Sequence, residues 1–447
     1  MRLADLRGRS VAVWGTGREG RAAVAAIAAH DPVELVAVDD KGDPHTLSWD
    51  GELAHFAPLY TGEAAFARLV AADVVVRSPG VPLTHPWLVE LRRRGATVTG
   101  GSALWMADHA SQTVAVTGSK GKSTTASLIS HLLTAVGRPN VLGGNIGIPL
   151  LDLPEADQYV LELSSYQCSD LTDSPRVAVL TALFPEHLDA HGGVEEYYRD
   201  KLNLIAHAPE AIVFNGTDER LTERLRGRDA IAAAVPSSFH VAAGSDGAAW
   251  VFRRDRPLFP RAALRLIGRH NEGNLCVALA ALEALGVDCV AERERLEAAV
   301  RSFSGLPHRL TEIEDPAGIT FVDDTLSTSP YSAIHAIDAY AGRPLTVIVG
   351  GTDRGLDYTP LRDHLAGKRI TVIGIPDSGA RIVETLRGLP GVRTEVAENL
   401  VAAVRRARKL TPVGGVVLLS PAAPSYGQFR NFEHRSEVFL QAIRDTA

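Results

Sequence analysis

The chain has 447 residues, 45% hydrophobic and 22% charged, which is enough apolar material for about two to four ordinary domains. A formal net charge of −7 excludes a nucleic-acid coat or an anionic membrane surface as the main partner, and no run is long and apolar enough to span a bilayer. Cys168, Cys276 and Cys289 lie far apart and match no zinc or redox spacing, so reduced core thiols in a cytoplasmic protein with no leader peptide are expected.

From the start of the chain, apolar runs at residues 10–15, 33–38 and 73–76 predict strands alternating with helices, a doubly wound α/β domain over residues 1–110. Its first turn reads GTGREG (residues 15–20), and Asp39 follows about twenty residues later, which formally fits a dinucleotide fingerprint. The turn reports only a close approach of backbone to some phosphate or sugar. Nothing nearby supplies redox chemistry, so a nicotinamide or flavin oxidoreductase stands as the alternative of a different class.

A second domain is expected over residues 111–305. A β-branched run climbs into TGSKGKST (residues 117–124), after which Leu128, Ile129, Leu132, Leu133 and Val136 share one helical face up to Gly137. Backbone groups of Gly118, Ser119, Lys120 and Gly121 can close around phosphate oxygens, and a helix N-terminus adds partial positive charge. Lys122 would reach the outer phosphates, Ser123 can ligate magnesium, and Thr124 lies in the same first turn. The strict eight-position pattern fails because Val116 stands where a glycine is usual. Strands at 159–163 and 177–183 end in Glu162 and in EHLDAH (residues 186–191), at the edge where open parallel sheets bind ligands. A helix at 195–206 carries Lys201, residues 230–260 say little, and HNEGN (residues 270–274) opens a helix with Asn271 and Asn274 one turn apart.

The third domain, residues 306–447, repeats the alternation. Strands are expected at 320–322, 345–349, 369–373 and 416–419, with helices at 331–341, 379–386, 400–410 and 437–444. Three domains with their loops at the carboxyl edges would enclose a cleft.

TGSKGKST, GGNIG (143–147), LELSSYQ (161–167), EHLDAH, the lysine helix, HNEGN and GLPHR (305–309) occur in that order over nearly the whole chain. The set resembles the Mur ligases of peptidoglycan synthesis. LELSSYQ and the closing LLSPAAPSYGQFRNFEHR (418–435) are most similar to the branch that adds glutamate to UDP-N-acetylmuramoyl-L-alanine. The resemblance implies a cytoplasmic, monomeric, ATP-dependent amide ligase that forms an acyl phosphate for an incoming amine to displace. It implies Glu162 and His187 as magnesium ligands and Lys201 as a lysine carbamylated to hold a second magnesium. Asn271, Asn274, Arg309 and Asp324 match nucleotide contacts. Gly15, Thr16, Gly17, Arg18, Asp39, Ser78, Pro79 and Gly80 would hold the uridine diphosphate end, with Asn145 further along the substrate.

The amino-acid pocket of that branch is matched at Thr328, Ser425 and Phe432. Leu326 replaces a lysine, Arg354 stands where a lysine is frequent, and Tyr426 stands where a smaller apolar residue is frequent. Arg354 keeps a cation for a carboxylate, although a planar fork demands different geometry from an ammonium. DDTLSTSP (323–330) resembles a subfamily that adds L-glutamate and leaves inversion to a separate epimerase. L-glutamate is therefore the expected amino acid, with the conventional D-glutamate ligase as the alternative.

Overall fold

The computed structural model describes residues 1–40, 49, 51–145, 147–425 and 427–446. They form two compact units, one of residues 1–265 with 272–303 and one of residues 266–271 with 304–447. The fold is mixed α/β with mainly parallel sheets.

The first sheet joins β1 (Ser10–Trp14), β2 (Glu34–Asp39), β3 (Leu59–Thr61), β4 (Val74–Arg77) and β5 (Thr97–Gly100) in the order β3-β2-β1-β4-β5, all parallel. Side chains alternate across a strand. Val11 and Val13 therefore pack with Val24 and Ile27 on one face, while Ala12 and Trp14 pack with Leu69, Leu88 and Leu91 on the other. Both faces are covered, as the near-continuous apolar strands require.

The second sheet, also in the first unit, holds β6 (Thr113–Thr117), β7 (Val141–Gly144), β8 (Tyr159–Glu162), β9 (Val177–Leu180), β10 (Ala211–Asn215) and β11 (Ile231–Ala233). Its order is β11-β10-β9-β6-β8-β7, so β6 lies between the strands that end near Glu162 and before His187. The helix Lys122–Ala135 leaves β6 and buries Leu128, Ile129, Leu132 and Leu133, each burial contributing about 1.5–3 kcal/mol. Val136 sits at its C-cap, and Gly137 (φ 79°) turns the chain away. Residues 230–260, uninformative in sequence, contain an antiparallel sheet of β12 (Phe239–Ala243), β13 (Ala249–Arg253) and β14 (Arg256–Pro260).

The second unit is built on β15 (Thr311–Glu314), β16 (Thr320–Asp323), β17 (Leu345–Val349), β18 (Ile370–Gly374), β19 (Val392–Val396) and β20 (Val416–Leu419). The order is β15-β16-β20-β17-β18-β19, parallel except for β15. The helices Pro330–Asp338 and Ser378–Leu386 pack on one face, and Leu400–Leu410 and Phe432–Asp445 on the other.

Candidate active site

The loop after β6 is shaped by its glycines. Gly118 has φ 150°, and a Cβ there would lie 2.1 Å from Thr181 Oγ1; Gly121 has φ 91°, and a Cβ there would lie 2.6 Å from Asn274 Oδ1. Side chains are excluded at both positions by backbone conformation and by space. The Ser119 hydroxyl turns inward, donating to the Phe184 carbonyl at 2.7 Å and lying 3.0 Å from the Tyr197 hydroxyl. Lys120 is half-buried, and its carbonyl accepts from the Thr181 hydroxyl at 2.6 Å. Lys122 opens the helix, its ammonium donating to the Ser119 carbonyl at 3.2 Å, and Ser123 and Thr124 are buried in the first turn.

Lys201 lies beneath this loop, fully buried in the helix Val194–Leu202. Its Nζ donates to the Gly118 carbonyl at 2.9 Å and stands 5.0 Å from the centre of the Tyr197 ring. Burial, and secondarily the charge of Lys122, lowers its pKa from the usual lysine range to about 7. Such an amine is substantially neutral, and hence nucleophilic, at physiological pH.

Glu162 closes β8 beside β6, in register with Val116. Its Oε1 accepts from Asn145 Nδ2 at 3.0 Å, while Oε2 is buried with no hydrogen-bond partner among the described residues. Asn145 thus meets Glu162 and is not part of the first sheet's cavity lining. His187 has a left-handed backbone (φ 53°), an uncommon conformation for a side-chain-bearing residue, and its ring centre is 5.6 Å from that of Tyr166. Four residues on, buried His191 links Ser165 Oγ (2.9 Å) to Asp200 Oδ2 (2.8 Å), tying the segments after Glu162, after His187 and before Lys201 together.

At the carboxyl edge of the first sheet is a cavity of about 360 Å³. Its lining includes Gly15, Thr16, Gly17, Arg18, Asp39, Ser78, Pro79 and Gly80, all expected from sequence, together with Glu19 and Asp40. A Cβ on Gly20 would fall 1.8 Å from the Gly15 carbonyl oxygen, which accounts for the last glycine of GTGREG. The Thr16 hydroxyl donates to Asp39 Oδ2 at 2.6 Å. Asp40 is held by Trp14 Nε1 and His85 Nε2, each at 3.0 Å.

In the second unit Asp324 follows β16 and accepts from the Ser420 hydroxyl at 2.9 Å. Ser425 is buried, Thr328 and Arg309 are half-buried, and Arg354 is exposed. Phe432 begins the last helix with its ring 5.8 Å from that of His308, and His308 Nδ1 is 2.7 Å from Asp323 Oδ2. Asn271 Nδ2 donates to the Ile267 carbonyl at 2.7 Å. Tyr426 lies outside the described residues. Sequence reasoning missed Arg435, which is fully buried and donates to Thr325 Oγ1 (2.8 Å), the Thr325 carbonyl (2.6 Å) and the Ala423 carbonyl (3.2 Å). Its place in FRNFEHR was the available signal, but its partners are distant in sequence.

Residues 9–100 match the model of the Mur ligase MurD-like N-terminal domain, and residues 116–282 that of the Mur ligase middle domain. The chain is 74% identical over 447 residues to a UDP-N-acetylmuramoyl-L-alanine--L-glutamate ligase of a Micromonospora species, covering 100% of the chain and 99% of that relative. The chain belongs to the Mur ligase family. This Mur ligase is also 73% identical to the enzyme of the same name from Salinispora tropica, with both chains fully covered, and 37% identical to the one from Xanthomonas oryzae pv. oryzae, covering 99% and 96%. Among solved structures it shares its fold with the UDP-N-acetylmuramate-alanine ligase MurC of Thermotoga maritima (TM-score 0.59, 19% identity, 98% and 100% covered). It likewise shares the fold of the MurF ligase of that organism in complex with ADP (TM-score 0.59, 16% identity, 100% and 97% covered). Mur ligases are ATP-dependent amide-forming enzymes. Among its described residues no helix is long and apolar enough to cross a membrane.

Proposed function

We propose that this Mur ligase joins the carboxylate of UDP-N-acetylmuramoyl-L-alanine to the amino group of L-glutamate in the cytoplasmic assembly of cell-wall precursors. The observation that carries the reading is the meeting of Lys122, Lys201 and Glu162 around one phosphate loop. A substrate carboxylate oxygen attacks the γ-phosphorus of ATP, the bond to the ADP oxygen breaks, and an acyl phosphate forms. The glutamate amine then attacks the acyl carbon, phosphate leaves with the bonding pair, and a proton is lost from nitrogen. Lys122, with the amides of Gly118, Lys120, Gly121, Ser123 and Thr124, offsets the repulsion between the two anions, whereas the Ser119 amide is committed to the Ala182 carbonyl at 2.7 Å.

The residues present fit magnesium. Glu162 has one carboxylate oxygen fixed by Asn145 and the other buried without a partner, leaving a hard oxygen for a cation. Ser123 and His187 would supply the remaining protein ligands, and when bound the ion adds positive charge against the phosphate oxygens. The Lys201 amine adds to carbon dioxide with loss of one proton, giving a carbamate that would serve as an oxygen ligand.

The cavity formed by Gly15, Thr16, Gly17, Arg18, Asp39, Ser78, Pro79 and Gly80 would take the uridine diphosphate end, with residues 1–110 as its domain. Residues 111–305 would handle ATP, with Asn271 and Asn274 contacting nucleotide and Asn145 the substrate, while Arg309 and Asp324, from residues 306–447, match further nucleotide contacts. Residues 306–447 would supply Thr328, Arg354, Ser425, Tyr426 and Phe432 for glutamate. The assignment of the L-enantiomer is supported by the DDTLSTSP stretch, by Leu326 and Arg354, and by the names its relatives carry. On this reading the protein works as a monomer, and an epimerase acts on its product. Separate reactions with each enantiomer, ATP and the muramoyl substrate test it: L-glutamate is expected to turn over faster, and faster D-glutamate turnover overturns the assignment.

A further inference from the structure

Arg77 is the last residue of β4, immediately before the cavity-lining residues 78–81, and its side chain is fully buried. Nη1 donates to the Val81 carbonyl at 2.6 Å, closing that segment back on itself. Nη2 points the other way, toward the segment that follows Glu162. It reaches the Tyr166 carbonyl at 3.0 Å, Ser169 Oγ at 3.2 Å and Asp170 Oδ2 at 2.5 Å. Asp170 is itself buried, and a Cβ on Gly100 would fall 2.8 Å from its Oδ2, so a glycine at that strand end leaves the carboxylate its place. A second bridge runs parallel, from Gln167 Nε2 to Glu19 Oε1 at 3.0 Å, and Glu19 also lines the cavity.

Both bridges land on residues 165–170. That short segment begins three residues after Glu162, and Ser165 is tied through His191 to Asp200, the neighbour of Lys201. A chain of direct contacts therefore runs from the cavity wall to the helix beneath the phosphate loop. A buried ion pair is a poor way to add stability, because well-packed apolar residues of similar volume often do as well or better. What it adds is geometry: a planar guanidinium fixes several acceptors at once, which an ammonium cannot do.

We propose that Arg77 is a positioning residue that sets the distance between the uridine diphosphate cavity and the acyl-transfer centre. The inference rests on the proposed function, in which one long substrate is gripped at the cavity and reacts at the loop. Such a substrate delivers its carboxylate only where the protein's own spacing puts it, and a misplacement of about 1 Å can cost about 10²-fold in rate.

The test is steady-state kinetics of Arg77→Lys and of the double variant Arg77→Met/Asp170→Leu, with thermal unfolding measured alongside. The double variant removes both buried charges together, so neither is left unpaired. The expected result is a fall in kcat of about 10²-fold in both variants, with KM for ATP and for the muramoyl substrate within about threefold of wild type. Inhibition by UDP alone should be unchanged. A kcat within about threefold of wild type in either folded variant overturns the proposal, as does a raised KM at constant kcat, which would make Arg77 only a prop for the cavity wall. A wild-type protein that makes no amide would overturn the functional reading and this inference with it; an active wild type with unaffected variants overturns the inference alone.

Discussion

At the residue scale, the proposed function gives two lysines opposite duties. Lys122 is placed to meet phosphate as a cation, and Lys122→Ala should lower kcat by about 10²–10³-fold in an assay of phosphate release, the range seen when one preorganised charge-stabilising donor is removed. Lys201 must instead be neutral to capture carbon dioxide, and its pKa of about 7 makes that possible. Activity should therefore fall as pH drops through about 7, and added bicarbonate should raise it near neutrality but not in acid. A profile indifferent to bicarbonate would remove the carbamate. The same burial has a stability consequence. The unfolded chain binds a proton on this amine at any pH below the ordinary lysine range, whereas the folded chain does so only below about 7, so stability should rise with pH across that window. Lys201→Met should accordingly raise the melting midpoint at neutral pH while abolishing turnover, which separates a functional lysine from a structural one.

At the scale of elements the loops are the sensitive parts. Gly118→Ala combines φ 150° with a methyl group 2.1 Å from Thr181 Oγ1; the backbone strain alone costs about 1–3 kcal/mol. Calorimetry should find nucleotide affinity reduced more than tenfold, and undiminished binding would contradict the loop geometry. Arg435 joins the segment after β16 to that after β20, so Arg435→Met strips a donor from three buried neutral acceptors and should destabilise the protein by about 1–3 kcal/mol in denaturant unfolding and raise KM for glutamate.

These elements differ in how legible they were. Leu345–Val349 and Leu400–Leu410 were readable to the residue, because a fully buried parallel strand is an unbroken apolar run and a half-buried helix repeats every 3.6 residues. The strand β19, VRTEV, was not, since a half-exposed edge strand carries charges that hide its alternation. The last helix starts at Phe432, earlier than its periodicity suggested, because Asn431 caps it by accepting from the His434 amide. In the site, contiguous motifs such as TGSKGKST and GTGREG were legible because the chemistry needs their residues adjacent. The Arg77–Asp170 pair, 93 residues apart, and the link of His191 to Asp200 are products of tertiary packing and leave no local pattern.

At the scale of the whole molecule, the cavity and the phosphate loop belong to one compact unit, and the residues matched to glutamate belong to the other. On the proposed function, the phosphate loop turns an unreactive carboxylate into an acyl phosphate that an amine displaces. The most direct measurement of that step follows heavy oxygen placed in the carboxylate of UDP-N-acetylmuramoyl-L-alanine during ligation with ATP and L-glutamate. One labelled oxygen is expected in each phosphate released, in step with each amide formed. Phosphate released without label, alongside normal amide formation, would contradict that step.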